Sequence, residues 1–335
     1  MAELAERLPA VRASWRNLGL TAVALGLLGM LLLLVDPNRS AAAQNFFLVF
    51  SSLLIEAFPF ILLGALVSAA IEVFVPSTLF ERLARLPQPL QLPASGLAGF
   101  AFPVCECGSV PVARRLATKG LSPAAAVTFM LAAPILNPVV IASTVIAYRG
   151  RETMWTMVLG RAGRGLLAAV AVGWVVAGRR ADELLRARQE PEAPHDHAHP
   201  YRSRPAAFFE HLAGDFTFMG RYLILGAAVA ATMQTFVPQS IIGSVAGTPI
   251  VDLIAMMGLA FLLSLCSESD AFVAASFVQF GSGAQLAFLV FGPMVDTKLG
   301  FLYSATFRRG FLPTTAVVVA SVVLAGTLWI QVVAG

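Results

Sequence analysis

The stretch "FPVCECGSVPVARRL", Phe102 to Leu116, decides how the rest of the chain is read. It holds two of the three cysteines, a glutamate between them, a glycine and two prolines, and apolar sequence lies on both sides. Pro103 and Pro111 interrupt helical hydrogen bonding, and Gly108 permits a tight turn. The composition therefore predicts a broken helix. In an unbroken helix Cys105 and Cys107 point about 160° apart, whereas in an extended segment they share a face and serve one ligand.

The surroundings say what kind of helix is broken. Of the 335 residues, 58% are hydrophobic and 13% charged, about half the charged share of a soluble protein. Nine apolar runs, from Leu18–Val35 to Phe311–Gly335, approach the roughly 20 residues that a membrane span needs. They are continuous rather than alternating, so the expected class is an all-α polytopic membrane protein and not a barrel. The expected location is the bacterial cytoplasmic (inner) membrane. The formal charge of +4 comes from arginines between spans, as in cytoplasmic loops. No basic run is interleaved with aromatics, which argues against nucleic acid as a partner. Expected partners are the lipid bilayer and a small-molecule or metal(loid) substrate, with a homo-oligomer left open. An odd number of cysteines inside apolar runs argues against a disulfide framework.

The chain is written twice. "LGALVSAAIEVFVP" (Leu63–Pro76) matches "LGAAVAATMQTFVP" (Leu225–Pro238) at an offset of 162. Further on, Cys105 aligns with Cys266, Cys107 with Glu268, and "APILNP" with "GPMVDT", placing Asn137 over Asp296. Three matches in one order predict two internal repeats. The expected organisation is an N-terminal segment with an uncleaved first span (1–44), repeat 1 (45–178), a charged cytoplasmic linker (179–205) and repeat 2 (206–335). The basic N-terminus and the basic linker both belong inside. One of the five apolar runs between them must then fail to cross, and Leu92–Val112, followed by Arg114, Arg115 and Lys119, is the weakest. Read as re-entrant, it leaves three crossings per repeat and an inverted topology, with the broken helices meeting near the bilayer midplane.

Polar and ionisable residues at membrane depth are costly and mark a pathway. Cys105, Glu106 and Cys107 from the first copy and Cys266, Glu268 and Asp270 from the second are the expected substrate site. Cys105, Cys107 and Cys266 are its soft-metal ligands, suited to zinc, copper(I) or trivalent arsenic. Asn137 and Asp296, beside the helix-breaking Pro134 and Pro293, form a second layer. Glu56, Glu72 and Lys298 are candidate ion relays, with Lys298 paired to Asp296. Arg161, Arg164, Arg308 and Arg309 read as snorkelling anchors. The "HDHAH" tract, His195–His199, lies in the linker and reads as flexible sequence, with weak binding of a transition metal as the alternative. Walker, His-Glu-x-x-His and Gly-x-Ser-x-Gly signatures are missing. The expectation is a permease, not an enzyme, with no cofactor, driven by a gradient or a partner.

"FPVCECGSVPVARRLATKGLSPAAAVTFMLAAPILNP", "SLCSESDAFVAASF" and "LAFLVFGPMVDTK" resemble the bacterial predicted-permease family that includes efflux permeases for trivalent organoarsenicals. The resemblance covers roughly residues 45 to 330. It implies export of trivalent arsenicals, with Cys105 and Cys107 as thiol ligands. Some members resemble metal-homeostasis components, and the acids of "SESD" form a harder ligand set than arsenic requires. A divalent-metal transporter is therefore the alternative, and a membrane thiol redox or partner-binding component is a third reading.

Overall fold

The computed structural model describes residues 41–102, 104–186, 204–236 and 249–334. In chain order the helices are α1 (Ala41–Phe74), α2 (Ser77–Ala84), α3 (Gln88–Ala98), α4 (Glu106–Thr118), α5 (Pro123–Leu136), α6 (Pro138–Ala147) and α7 (Met154–Val175). There follow α8 (Ala181–Leu184), α9 (Arg204–Phe236), α10 (Pro249–Leu263), α11 (Asp270–Ser276), α12 (Ser282–Phe291), α13 (Thr297–Thr306) and α14 (Phe311–Ala334). Among the described residues, four segments are long and apolar enough to cross a membrane: α1, the α5–α6 pair, α7 and α9. The chain is an all-α polytopic membrane protein. The expected span Leu18–Val35, Pro103 and the tract His195–His199 lie outside the described residues.

Four apolar runs are each divided into two helices. Leu92–Val112 gives α3 and α4, separated by a 3-10 turn at Gly99–Ala101 and the residues up to Cys105. Ile250–Phe280 gives α10 and α11 around Ser264–Ser269, Leu121–Ala147 divides at Asn137, and Gln285–Tyr303 divides at 292–296. Three of the four restarts carry a side-chain cap, and α11, which follows Ser269, has none. Asn137 Oδ1 accepts from the Val139 amide at 2.9 Å, and Asp296 Oδ1 accepts from the Leu299 amide at 2.6 Å. Such a cap contributes about 1 kcal/mol by satisfying an amide that the helix leaves open.

Bonds between the ends fix the direction of each piece. Lys119, after α4, donates to the carbonyls of Ile71, Glu72 and Val75 at the end of α1. Ser122 donates to Gln91 near the start of α3. The α3–α4 pair thus enters and leaves on one side. The start of the linker lies on that side too: Arg114 donates to the Arg186 carbonyl, and Leu185 bridges to Phe307 after α13. On the other side Arg151, after α6, donates to the Ala275 carbonyl of α11, and Gln285 of α12 donates to Phe277. The α10–α11 pair enters and leaves there. Packing follows the same order in both halves: α3 lies on α5 and α7 as α10 lies on α12 and α14. Likewise α4 lies on α13 as α11 lies on α6.

Several local expectations are corrected. α4 runs through Pro111 without interruption, and Pro134 lies inside α5. Both prolines sit in short helices beside breaks that other residues make. Gly108 is helical, not a turn residue. It lets α4 cross α1 closely, since a Cβ added at Gly64 would lie 2.3 Å from the Gly108 Cα. Gly226, the residue aligned with Gly64, also lies close to another helix, α13, 2.9 Å from the Lys298 Cα by the same measure. Pro293 does lie in the turn between α12 and α13.

Candidate functional site

Three of the four breaks come together, those before α4, α11 and α13. Ser267, between α10 and α11, donates to Glu106 Oε2 at the start of α4 at 2.9 Å. The Lys298 ammonium of α13 lies 4.0 Å from Glu106 Oε1 and 3.9 Å from Asp296 Oδ2. Ser264 is held in a left-handed conformation, φ 46°, that few residues with a Cβ adopt. Its hydroxyl accepts from the Thr297 amide at 3.0 Å, so the start of α13 fixes the strained end of α10. Strain retained at a buried polar junction is a feature of functional sites.

At the centre stand the thiols. Cys105 caps α4, its sulfur accepting from the Gly108 amide at 3.4 Å. The Cys107 and Cys266 thiols both lie beside the Cys105 thiol, and all three cysteines are free and buried. Cys266 donates to Glu268 Oε2 at 2.9 Å. The sulfurs of Cys105 and Cys266 and a carboxylate oxygen of Glu106 lie within 4.8 Å of one another, close enough to hold one ion. The three-donor group differs from the expected pairing of Cys105 with Cys107 across an extended segment. Cys105 alone is extended, and Cys107 already lies in the first turn of α4. The helix turns Glu106 toward Cys266 instead.

Charge is concentrated and incompletely satisfied. Glu106, Asp270 and Asp296 are buried beside two buried cations, Lys298 and Arg161. Arg161 is not the interfacial anchor its position implied. At 2% exposure it donates to Asp270 Oδ2 at 2.7 Å, to the Ser267 carbonyl at 3.0 Å and to Thr144 Oγ1 at 3.0 Å. Sequence reading missed it because a helix surrounded by apolar residues hides which face an arginine takes. The spacing of Arg161 and Arg164 along α7 was the available signal. Four carboxylate oxygens have no hydrogen-bond donor among the described residues: Glu106 Oε1, Glu268 Oε1, Asp270 Oδ1 and Asp296 Oδ2. A buried acceptor without a donor costs about 1–3 kcal/mol, so this arrangement suits a partner that arrives.

The other sequence candidates divide. Glu56 on α1 accepts from Ser269 at 2.8 Å and so borders the site. Asn137 caps α6 among buried neighbours. Glu72 belongs elsewhere. It faces Arg115 at 3.5 Å and Lys119 at 3.9 Å near the linker side, where Arg115 also meets Asp215 at 3.6 Å and His211 at 3.2 Å. Burial draws the Lys119 ammonium below its ordinary pKa; Glu72 opposes that and Arg115 adds to it. A separate apolar cavity of about 310 Å³ lies under α2, lined by Phe80, Leu83, Phe102, Leu116 and Phe129 among others.

Comparison with known proteins places this arrangement. A family model described as "Predicted permease" matches residues 42–331. The Bacillus subtilis (strain 168) "UPF0718 protein YcgR" is 40% identical over 294 residues, covering 86% of this chain and 99% of that one. A Streptococcus mutans serotype c protein named "Putative two-component membrane permease complex subunit" is 36% identical over 267 residues, covering 79% of this chain and 87% of its own. No solved structure matches the chain. The matched region contains every helix break and every thiol and carboxylate of the site, and this chain belongs to the predicted-permease family.

Proposed function

We propose that the protein is a secondary-type permease of the bacterial inner membrane that moves a thiophilic substrate, bound at the junction of its helix breaks, in the direction of efflux. The observation that carries this reading is the meeting of Cys105, Cys266 and Glu106 within 4.8 Å, with Cys107 beside them. Three thiols from two distant stretches suit a trivalent arsenical, which is soft and sulfur-seeking. The carboxylate among the donors favours a second reading, a divalent ion such as zinc, which takes mixed sulfur and oxygen ligands. The proposed framework is two inverted repeats. Its support is the shared packing order and the entry of α3–α4 and α10–α11 from opposite sides. Alternating access then moves one half against the other around a fixed central site.

The test uses purified protein in nanodiscs, titrated with phenylarsine oxide or with zinc. It is paired with survival of a host lacking its own exporters on trivalent organoarsenicals, arsenite and zinc. Cys266→Ser exchanges sulfur for oxygen with little change of shape. It is expected to weaken binding roughly 100-fold, since even residues one layer behind a ligand cost 10–100-fold. Glu268→Gln separates the substrates: zinc handling falls and arsenical handling persists, because only the ion draws on carboxylate charge. Unchanged binding of both probes in Cys266→Ser would overturn the reading.

A further inference from the structure

Arg164 lies at the middle of α7, a 22-residue helix that runs from Met154 to Val175. At 1.5 Å per residue it is roughly 15 Å from either end. An arginine side chain of a few bonds of about 1.5 Å each reaches less than half that distance, so snorkelling does not bring the charge to the headgroups. Its neighbour Arg161 solves the same problem by pairing with Asp270. Arg164 has no such partner: its Nη1 is enclosed without an acceptor, and no acid faces it among the described residues.

The helices nevertheless make room for this group. A Cβ added at Gly326 of α14 would lie 2.9 Å from Arg164 Nε. One added at Gly160 would lie 3.4 Å from Nη1 and 2.8 Å from Leu286. Two glycines thus open the space the guanidinium occupies, while the residue as a whole is only half-buried. Beside it runs an exposed stripe of Trp155, Leu159, Gly163 and Leu167, and a Cβ at Gly163 would meet nothing within 4 Å. A charge held at mid-bilayer in a built space calls for a counter-charge, and small residues let another helix approach closely.

We infer that the outer face of α7 around Gly163 and Arg164 docks a transmembrane helix of a different subunit, and that this helix carries a carboxylate paired with Arg164. The acids of a second copy are poorly placed to supply it. Glu106, Asp270 and Asp296 are buried in its own core, and Glu268, Glu56, Glu72 and Asp215 are engaged there. Glu210 and Asp252 lie towards the N-terminal ends of α9 and α10 rather than at mid-helix, and the run Leu18–Val35 contains no Asp or Glu. Lipid phosphates lie at the wrong depth. The inference is independent of which substrate the central site takes.

The experiment places a photo-crosslinking amino acid at Leu167 in the full chain, expressed in its native host. The crosslinked species is identified by mass spectrometry, with Arg164→Gln and Arg164→Lys alongside. Expected is a crosslink to one other membrane protein through a helix bearing Asp or Glu. Arg164→Gln should reduce it at least tenfold and Arg164→Lys should largely retain it. Arg164→Asp should restore it only when the partner's acid is changed to Lys. Crosslinks to lipid or to this chain alone would overturn the inference, as would a heterologous crosslink indifferent to Arg164→Gln. Folding of each variant is checked by size-exclusion profile, and an aggregated Arg164→Gln transfers the decision to the Arg164→Asp charge swap.

Discussion

One helix, α4, has a polar cluster at each end, and the two clusters are built on opposite principles. At its C-terminal end Arg115 is shared between Glu72, Asp215 and His211, Asp215 accepts from Ser68 at 2.7 Å, and Lys119 donates to three carbonyls. No side-chain atom of that cluster is among the buried polar atoms without a partner. At the N-terminal end Glu106 keeps one oxygen without a donor, as do Glu268, Asp270 and Asp296 around it. The first cluster is a closed account of charge that ties α1, α4 and α9 together. The second is held in place by Ser267, Lys298 and Arg161 yet leaves acceptors and thiols facing one another. Saturation marks the structural cluster, and directed incompleteness marks the site.

The largest effect expected from breaking this contrast is at Arg115. Arg115→Met leaves the buried Asp215 and the half-buried Glu72 near a single remaining ammonium, and removal of one member of a buried ionic group costs about 3–5 kcal/mol. Thermal unfolding in detergent should show a large drop in midpoint. The affinity of the folded fraction for phenylarsine oxide or zinc should stay within about twofold. A comparable loss of affinity would show that the two ends of α4 act as one unit.

How much of this was legible in the sequence follows from the same contrast. The class, the breaks and the central residues were legible because proline, glycine, cysteine and acid stand out against apolar sequence, and because the sequence after Leu225 matches the sequence after Leu63 in order. The offset of Cys105 from Cys266 located the junction that Ser267 and Glu106 close. What failed was local and geometric. Pro111 and Pro134 were read as breaks, but each lies in a helix that tolerates it. Cys-x-Cys was read as extended, but α4 restarts at Glu106 and rotates Cys107 out of the three-donor group. Arg161 was assigned to the wrong surroundings, and Glu72 was named without its partners, because helical rotation and the residues met on α4, α9 and α11 are long-range facts. No periodicity within α7 or α1 records them.

A middle-sized effect tests the crossing that carries α4 between the two clusters. Gly64→Ala places a methyl 2.3 Å from the Gly108 Cα, where backbone rather than a flexible side chain must yield. Overpacking of this kind costs about 1–3 kcal/mol. The displacement falls on the N-terminal half of α4, close to Cys105 and Glu106, and leaves Arg115 on the distant turn. Substrate affinity should therefore fall together with stability, in contrast to Arg115→Met. Gly163→Ala, where a Cβ meets nothing, is the control expected to leave both unchanged.

The smallest expected effect is the sharpest test, and it uses the aligned pair Asn137 and Asp296. Both cap the second half of a divided helix, but only Asp296 carries a charge, and only it lies 3.9 Å from the Lys298 ammonium. Asp296→Asn makes the second half resemble the first. The carboxamide oxygen still accepts from the Leu299 amide, and Asn is as good a cap as Asp, so the helix start loses only a few tenths of a kcal/mol. What changes is the surroundings of Lys298. With one of its two carboxylates gone, the ammonium is shared less and Glu106 becomes its chief counter-ion. Glu106 is then less available to an incoming cation, and zinc binding should weaken by roughly tenfold, about 1.4 kcal/mol. Phenylarsine oxide, held by thiols, should bind as before. Equal weakening of both probes would mean that Asp296 supports the shape of the site rather than its charge, and the contrast between the two ends of α4 would then rest on the thiols alone.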